Sequence, residues 1–402
     1  MNVESHEFRE VAENFVKEYY IPSIVRGIES VSRADINFLA DDIRRAIQER
    51  ARIFVFGNGG SFASAQIFRH LLLFGESADL LGRVDVDIPR FTDLIGSDFP
   101  AYLQKHARNG DRALLISASG NSQNILETAE MARQMQIKVL SVTGDGALVN
   151  AESQPDLPLV VDNRDQQILE DISQYFLYQV VQMVISSSGG DSLDVVFNDC
   201  EILDPNMLVE VAESILECFF HGRPVRVFAP DNGLLAIDAE HISHNLQWDV
   251  FQDVELGFKL SLAVDVNDLD KNLSDWTGKK NDGAVDFLSS FQALDQGRNG
   301  AVFLNFFRDQ ESLETQNFKR VCEKRKVKTF DFNFEGIESE GIASVVAMAA
   351  GHIIGRLTNA KILSALGVIK NVDDLRQHLL RRDLAMLREF RATRASLVNL
   401  FV

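Results

Sequence analysis

Apolar positions recur along the chain with two different periods, and each period predicts a different element. Over residues 15–28 and 36–47 they return every three to four positions, which predicts two amphipathic helices with a break near Ser32. Residues Ile53–Phe56 form an uninterrupted apolar run, as expected for a strand that is buried on both faces. A helical period resumes over residues 62–74. The chain therefore starts with helices and continues as a strand joined to a helix.

Strand and helix continue to alternate through the first half of the chain. Short apolar runs predict strands at 113–116, 138–142 and 159–161. Helical periods lie at 123–134 and 166–185. Strands that alternate with helices favour a parallel sheet with helices on both faces, so the first half is predicted to be an α/β domain.

The second half repeats this order of elements with different residues. The predicted strands and helices lie, in turn, at 225–229, 239–248, 301–305, 310–323, 327–332 and 342–357. A repeated order of elements indicates an internal duplication. Glycine and serine at 187–191 are typical of a linker, which predicts two domains, 1–190 and 191–402. The arginine-rich tail from Val372 is predicted to be a helix with a solvated or subunit-facing surface.

Charge narrows the range of partners. The 402 residues include 59 acidic and 40 basic side chains, a formal net charge of −19. Such a chain is repelled by phosphate backbones and by anionic membranes, so we expect neither nucleic acid nor a membrane as a partner. The apolar stretch around 342–354 is shorter than the ~20 residues of a membrane span. The polar, acidic start is unlike a signal peptide, so a cytoplasmic protein is expected.

The cysteines do not form a recognisable framework. Cys200, Cys218 and Cys322 are odd in number, far apart and without a CxxC pair. The pattern argues against structural disulfides and against a structural zinc site, and it favours a reducing compartment.

Two loops that follow predicted strands are rich in glycine and serine. One is Gly57-Asn58-Gly59-Gly60-Ser61, and the other runs from Ser117 to Ser122 with the sequence SASGNS. Such loops meet at the carboxyl edge of a parallel sheet, where glycines expose backbone N–H groups and helix N-termini favour anions. A serine at a helix start also acts as an N-cap, so one loop alone would be explained by capping. The two together predict a phosphate site that is formed by Ser61, Ser117, Ser119 and Ser122.

These two motifs, in this order, resemble those of the SIS (sugar isomerase) domain family, and most of all its phosphoheptose isomerase branch. The resemblance covers residues 5–185. It implies a flavodoxin-like three-layer α/β/α sandwich that binds a phosphorylated sugar such as sedoheptulose 7-phosphate. It assigns the four serines to the phosphate. The remaining substrate-binding positions that it implies are Asn58, Gly59, Gly60, Gly120 and Asn121, with the two asparagines at sugar hydroxyls. The second half then becomes a degenerate SIS-like copy, in a tandem pair of sandwiches.

The first half departs from the isomerase branch where that branch places its metal and acid–base residues. Counted along the two helices, those positions are Ile67, Leu71, Leu169 and Leu177. Apolar side chains neither bind a metal nor carry protons, so no cofactor is predicted, and zinc is unsupported by these residues. The nearby titratable candidates for catalysis, each equally interpretable as a surface or capping residue, are His70, Asp93, Asp98, Glu170 and Asp171.

The second half lacks the serine-rich loops. Leu234-Leu235 replaces Gly-Ser in its first loop, and Arg308 is the main donor left for a phosphate in its second. His241 falls at the position of the branch's metal histidine, and His244 shares its helix face. They are interpreted either as metal ligands or bases, or as ordinary buried or surface histidines. Because the sites of this family lie between subunits or domains, either histidine could serve the intact loops of another copy.

Three functions follow as hypotheses. The first is a phosphosugar isomerase that interconverts aldose and ketose forms. The second is a non-catalytic sensor or regulator that binds a sugar phosphate, which the missing catalytic residues favour. The third is an isomerase module of the amidotransferase type, which the tandem copies favour, although no N-terminal cysteine glutaminase domain is evident. Relatives assemble as dimers or tetramers, so a fused pair of copies is expected to form a homodimer.

Overall fold

A computed structural model describes most of the chain. The described residues are 5–74, 84–89, 98–150, 154–186, 201–221, 225–229, 234–251, 302–308, 315–316, 319, 322–323, 327–335, 337, 339–365 and 367–381. They fall into two compact units. We call Ile21–Asn198 with Ser339–Val345 the N-terminal unit, and Met1–Tyr20 with Asp199–Glu338 and Val346–Val402 the C-terminal unit.

The N-terminal unit alternates strands and helices after two initial helices. Its strands are β1 (Ile53–Phe56), β2 (Val86–Asp87), β3 (Arg112–Ser117), β4 (Lys138–Gly144) and β5 (Leu157–Val161). Its helices are α2 (Ile21–Glu29), α3 (Arg33–Glu49), α4 (Gly60–Phe74), α5 (Phe99–His106), α6 (Gln123–Gln134), α7 (Ala147–Asn150) and α8 (Gln166–Ser186). The predicted strands at 53–56, 113–116, 138–142 and 159–161 and the predicted helices of this half are therefore confirmed, while β2, α5 and α7 were not predicted from the sequence.

The strands form one parallel sheet in the order β2-β1-β3-β4-β5. In its register Ile53 lies opposite Arg112, and Arg112 lies opposite Lys138. This order is the flavodoxin-like one, in which the chain leaves β1 in one direction for β2 and in the other for β3. The predicted parallel α/β fold is confirmed.

Helices cover both faces of the sheet, which explains why its strands are continuously apolar. On one face Phe54, Phe56 and Leu115 pack against Phe99 of α5 and Ile125 of α6, all of them fully buried. The helices α3, α4 and α8 contact the strands as well. The break predicted near Ser32 is the start of α3, where the Ser32 side chain accepts a hydrogen bond from the backbone N–H of Asp35.

The C-terminal unit contains a second parallel sheet. Its strands β6 (Val225–Phe228), β7 (Val302–Phe307) and β8 (Lys328–Asn333) lie in the order β6-β7-β8. Its helices are α1 (Ser5–Asn14), α9 (Pro205–His221), α10 (Leu234–Phe251) and α12 (Val372–Arg381), and α11 (Glu340–Ala365) lies mostly within it. The three strands predicted for the second half are confirmed within about two residues at each end. The predicted helix at 310–323 and the linker at 187–191 lie largely outside the described residues, and so does most of the arginine-rich tail.

The first twenty residues belong with the second half of the chain rather than with the first. Arg9 of α1 forms a 3.2 Å ion pair with Glu213 of α9, and Lys361 of α11 lies 2.8 Å from the same carboxylate. The Lys361 ammonium also lies 4.1 Å from the centre of the Phe8 ring. This grouping differs from the predicted domains 1–190 and 191–402 at the N-terminus, and those boundaries otherwise stay a prediction.

One described helix has the length and apolar composition to cross a membrane. It is α11, and its most apolar stretch is entirely buried within the protein. The apolar stretch identified in the sequence is thus part of a longer helix than predicted, in the setting of a core helix.

Candidate functional site

The two glycine- and serine-rich loops follow neighbouring strands. Residues 57–59 connect β1 to α4, and residues 118–122 connect β3 to α6. Because β1 and β3 pair in parallel, both loops leave the same edge of the sheet. This is the point where the strand order changes direction, and ligands of open α/β sheets bind in the crevice that such a change creates.

Two asparagine side chains join the loops directly. The Asn58 Nδ2 group donates to Asn124 Oδ1 at 2.9 Å, and Asn124 Nδ2 donates to Asn58 Oδ1 at 3.0 Å. Asn58 lies in the first loop, whereas Asn124 lies in the first turn of α6 just after the second. Sequence reasoning identified Asn58 but missed Asn124, because a contact between residues 66 apart leaves no local pattern.

Two of the four candidate serines are oriented by backbone groups of their own loop. Ser117 Oγ accepts a hydrogen bond from the Gly120 N–H, and Ser119 Oγ accepts one from the Asn121 N–H, both at 3.2 Å. A hydroxyl that accepts in this way still has its own proton to donate. The turn therefore leaves two O–H donors for an anion.

The other two serines stand at helix starts. Ser61 is buried in the first turn of α4, and Ser122 is the N-cap of α6. Neither hydroxyl makes a hydrogen bond to any described residue, and Ser122 therefore does not cap its helix with its side chain. The first N–H groups of both helices lack intrahelical partners. Ser122 thus stands at the N-cap position, but its hydroxyl does not perform the hydrogen bonding of a cap.

Glycines allow the loops to turn and to approach their neighbours. Gly59 and Gly120 have φ values of +52° and +63°, which residues with a side chain rarely adopt. A Cβ on Gly60 would lie 2.2 Å from Glu170 Oε2, so the start of α4 rests against this buried carboxylate of α8. A Cβ on Gly120 would meet Thr143 and the following loop.

The Asn121 amide is engaged within the protein. Its Nδ2 group donates to the Ser119 carbonyl at 2.7 Å, and its Oδ1 accepts from the Ala147 N–H at 2.9 Å. Asn121 therefore ties the serine loop to α7. A contact with a sugar hydroxyl through its remaining N–H stays a prediction.

The candidate catalytic carboxylates that the structure describes lie on α8 and at the start of α5. Glu170 and Asp171 are buried on α8, and the Gln166 amide lies 3.4 Å from Glu170 Oε1. Asp98 caps α5 by accepting a hydrogen bond from the Ala101 N–H at 2.9 Å. Asp93 lies outside the described residues. Of these carboxylates, Glu170 contacts the residue that starts α4.

His70 lies far from the loops along its helix. It follows Gly60 by ten positions of α4, which is about 15 Å at 1.5 Å per residue. Burial lowers the pKa of its imidazole below the ordinary value, although the Glu340 charge opposes this shift and the Arg69 charge adds to it. Its distance from the helix start argues against direct contact with a ligand held there.

The positions that hold metal and acid–base groups in the isomerase branch are part of the core. Ile67, Leu71, Leu169 and Leu177 are each at most 5% exposed. Their side chains have no donor atoms, so these residues do not fit a metal ion. No step of a reaction is therefore assigned to a metal here.

The C-terminal unit brings two histidines together. His241 of α10 and His352 of α11 are buried, and their Nε2 atoms lie 3.4 Å apart. The Asn245 amide lies 2.7 Å from His241 Nε2. A zinc site needs at least three protein ligands, so this pair does not form one by itself. His352 was missed from the sequence, and the side chain of His244 lies outside the described part.

The residues of this unit that were compared with the phosphate loops take part in packing. Leu234 and Leu235 are buried at the start of α10, as expected for apolar residues. Arg308 donates to the Ile337 carbonyl at 3.1 Å, so its guanidinium takes part in the fold. Residues 230–233, which include Asn232-Gly233, lie outside the described ranges.

Sequence comparison finds relatives for part of the chain. No family model matches the chain. A phosphoheptose isomerase of Campylobacter concisus is 32% identical over 156 residues, which cover 35% of this chain and 78% of that protein. A phosphoheptose isomerase of Cytophaga hutchinsonii is 30% identical over 142 residues, which cover 30% of this chain and 74% of that protein.

A solved structure matches the fold over more of the chain. The C-terminal domain of glucosamine-fructose-6-phosphate aminotransferase from Francisella tularensis superposes with a TM-score of 0.51 at 12% identity. The match covers 89% of this chain and 97% of that one. At this identity the likeness concerns the fold alone. The resemblance of the first half and the predicted parallel α/β class are confirmed, whereas the second, degenerate copy stays a prediction.

Proposed function

Since the chain belongs to the phosphoheptose isomerase family, we propose that its N-terminal unit binds a phosphorylated sugar and isomerises it between aldose and ketose forms. The observation that carries the proposal is the meeting of the two loops where the strand order changes direction, held by the Asn58–Asn124 pair. Phosphoheptose isomerases are the relatives, so sedoheptulose 7-phosphate is the first substrate to test.

The phosphate would be held without any positive side chain. Hydroxyl protons of Ser61, Ser117, Ser119 and Ser122 and the N–H groups at the starts of α4 and α6 supply the donors. The partial positive charge of two helix N-termini favours the dianion. This donor set is compatible with a protein whose net charge is −19, since phosphate binding here depends on local dipoles.

Isomerisation requires a group that moves a proton between neighbouring carbons. Such a base removes the carbon-bound proton beside the carbonyl while the carbonyl oxygen gains a proton, which gives an enediol. The proton then returns to the adjacent carbon as the other hydroxyl loses its proton. Glu170 is the candidate because its buried carboxylate lies against Gly60 at the start of α4.

A second function, binding without turnover, is favoured by a specific observation. The four acid–base and metal positions of the isomerase branch are buried apolar residues. A sensor or regulator needs the phosphate donors but not those groups. Both functions predict the same binding site, and they differ only in whether sugar is converted.

The decisive experiment combines binding with turnover. At a ligand concentration one hundred times Kd, binding stabilises the protein by about 2.7 kcal/mol, or roughly 5–10 °C in Tm for a unit of this size. A thermal-shift screen of pentose, hexose and heptose phosphates, with and without zinc, should show this shift. NMR of the same mixtures detects aldose–ketose conversion. A shift with conversion supports the isomerase, a shift without conversion supports the sensor, and the absence of any shift contradicts both.

Two sequence-based predictions also stand as proposals. We propose a homodimer, which light scattering behind a sizing column tests directly. We propose a cytoplasmic location, which cell fractionation tests.

A further inference from the structure

The reciprocal hydrogen bonds between Asn58 and Asn124 leave part of each amide unused. A carboxamide has two N–H donors and an oxygen with two acceptor positions. The pair spends one donor and one acceptor position of each residue, at 2.9 and 3.0 Å. One N–H and one acceptor position therefore remain on each side chain. Both side chains are only partly buried, so these groups remain accessible.

The pairing also couples the orientations of the two amides. If one amide alone rotated by 180°, N–H would face N–H and oxygen would face oxygen, whereas rotation of both together keeps both hydrogen bonds. Each side chain therefore holds the other in position. In either paired arrangement the two side chains present neutral donors and acceptors at fixed places. The pair spans the same two loops that carry the candidate serines.

A neutral pattern of this kind suits hydroxyl groups rather than a phosphate. A sugar hydroxyl both donates and accepts, so it can satisfy an N–H and an oxygen that lie side by side. A phosphate dianion only accepts, and an amide oxygen next to it is unfavourable. The serines and the amide pair therefore differ in the part of a ligand that they match.

We propose that Asn124 is a positioning residue that, by orienting Asn58, makes the site select the hydroxyl-bearing part of a sugar phosphate over bare phosphate. The inference rests on the proposed function, since it assumes that a sugar phosphate binds at these loops. It adds a residue that neither the motifs nor the relatives assign. It also states the ligand class more narrowly, as a phosphate ester that carries hydroxyls within reach of the Asn58 amide.

The test compares two ligands and three variants. Calorimetry would measure the Kd of sedoheptulose 7-phosphate and of inorganic phosphate for Asn124→Ala and for the near-isosteric Asn124→Leu. We expect the sugar phosphate to bind about tenfold more weakly and inorganic phosphate to bind within twofold of wild type. Gln123→Ala is the matched control, because the neighbouring Gln123 amide bonds only to Glu127 on the same exposed helix surface. It should change neither affinity.

A double variant separates positioning from direct contact. If Asn124 acts through Asn58, then Asn58→Ala with Asn124→Ala should bind the sugar phosphate no more weakly than Asn58→Ala alone. Additive losses would overturn the positioning role. Equal loss of both ligands, or loss of neither, in a folded Asn124 variant would overturn the inference while leaving the proposed function intact. Wild-type protein that binds neither ligand would overturn the proposed function itself.

Discussion

The α-carbon of Gly60 lies against the carboxylate of Glu170, at a distance that leaves no room for a side chain. A Cβ placed on Gly60 would stand 2.2 Å from Glu170 Oε2 and 2.3 Å from its Cδ. Glu170 is only 5% exposed, so a carboxylate displaced by an added methyl group would have to shift within the protein interior. The glycine before the serine of the first loop is therefore required by a contact with α8, in addition to the turn that it helps to form.

This contact predicts the effect of Gly60→Ala. Helix propensity alone would make alanine more stable than glycine by up to about 1 kcal/mol. We expect instead a loss of about 1–3 kcal/mol, because the added methyl group collides with the buried carboxylate. Urea unfolding measures the change. In a Glu170→Ala background the same substitution should cost little or nothing, and a Gly60→Ala protein that is more stable than wild type would contradict the contact.

Ser122 and Ser32 are each the N-cap residue of a helix, but only the Ser32 side chain makes a capping hydrogen bond. Ser32 Oγ accepts from the Asp35 N–H at 3.1 Å, whereas Ser122 Oγ makes no capping hydrogen bond. Ser32→Ala should therefore lower the free energy of unfolding by about 1 kcal/mol without changing ligand affinity. Ser122→Ala should leave stability nearly unchanged and weaken sugar phosphate binding about tenfold. Parallel urea unfolding and calorimetry test both, and a stable Ser122→Ala protein with unchanged affinity would remove Ser122 from the proposed site.

Asp42 makes the stability of the N-terminal unit depend on pH. Its buried carboxylate accepts from Arg112 Nε at 2.7 Å and pairs with Lys138 and Arg45. Burial alone would raise the pKa of Asp42, but the hydrogen bonds from Lys138 and Arg112 hold it below its ordinary value. A depressed folded pKa means that the stabilisation is present above the unfolded pKa of about 3.9 and is lost as the pH falls through the folded pKa.

Asp42→Asn should lower the free energy of unfolding at pH 7 by about 3 kcal/mol, because it leaves the nearly buried guanidinium of Arg112 without this counter-charge. The difference from wild type should shrink as the pH falls below about 4. The adjacent Asp41→Asn is the control, since the Asp41 side chain is 57% exposed and its pair with Arg44 is worth at most about 0.5 kcal/mol. Urea titrations from pH 7 to pH 3 measure both, and a gap for Asp42→Asn that is constant with pH would refute the assignment.

Cys322 should be chemically inert in the folded protein. Burial, together with the negative charges of Asp331 and Glu323, raises the pKa of its thiol to about 12. At pH 8 only about one thiol in ten thousand is then a thiolate, and the thiolate is the reactive form. Iodoacetamide followed by peptide mass spectrometry should show Cys322 unlabelled in native protein and labelled in urea. Rapid labelling of native protein would show that the thiol is exposed.

Local sequence patterns predicted those elements that can be recognised from a few neighbouring residues. The strand Ile53–Phe56 and the helix Gln123–Gln134 occur at the predicted residues, because burial on two faces and a helical period are both visible within a few positions. The short strand Val86–Asp87 has no comparable pattern, since two residues do not establish a period. The grouping of the first helix with the second half of the chain has no local signal, because its partner Glu213 is distant in sequence.

The candidate site was predictable in part for the same reason. The loops after β1 and β3 carry their glycines and serines in contiguous motifs, so they could be identified before the fold was known. Asn124 and His352 could not, because each acquires its role from a partner on another element. His70 shows the opposite case. It is only ten residues from Gly60 in sequence, but the helix places it about 15 Å from the first loop.

From its residues alone, this chain determines alternating buried strands and amphipathic helices, a parallel sheet and two polar loops, because such features depend on neighbours within one or two turns of the chain. Only the tertiary structure decided that Asn58 pairs with Asn124, that Gly60 faces Glu170 and that Ser122 leaves its hydroxyl unused. Those outcomes depend on strand order and on packing between distant segments, and the geometry of such contacts is not encoded in any short stretch of sequence.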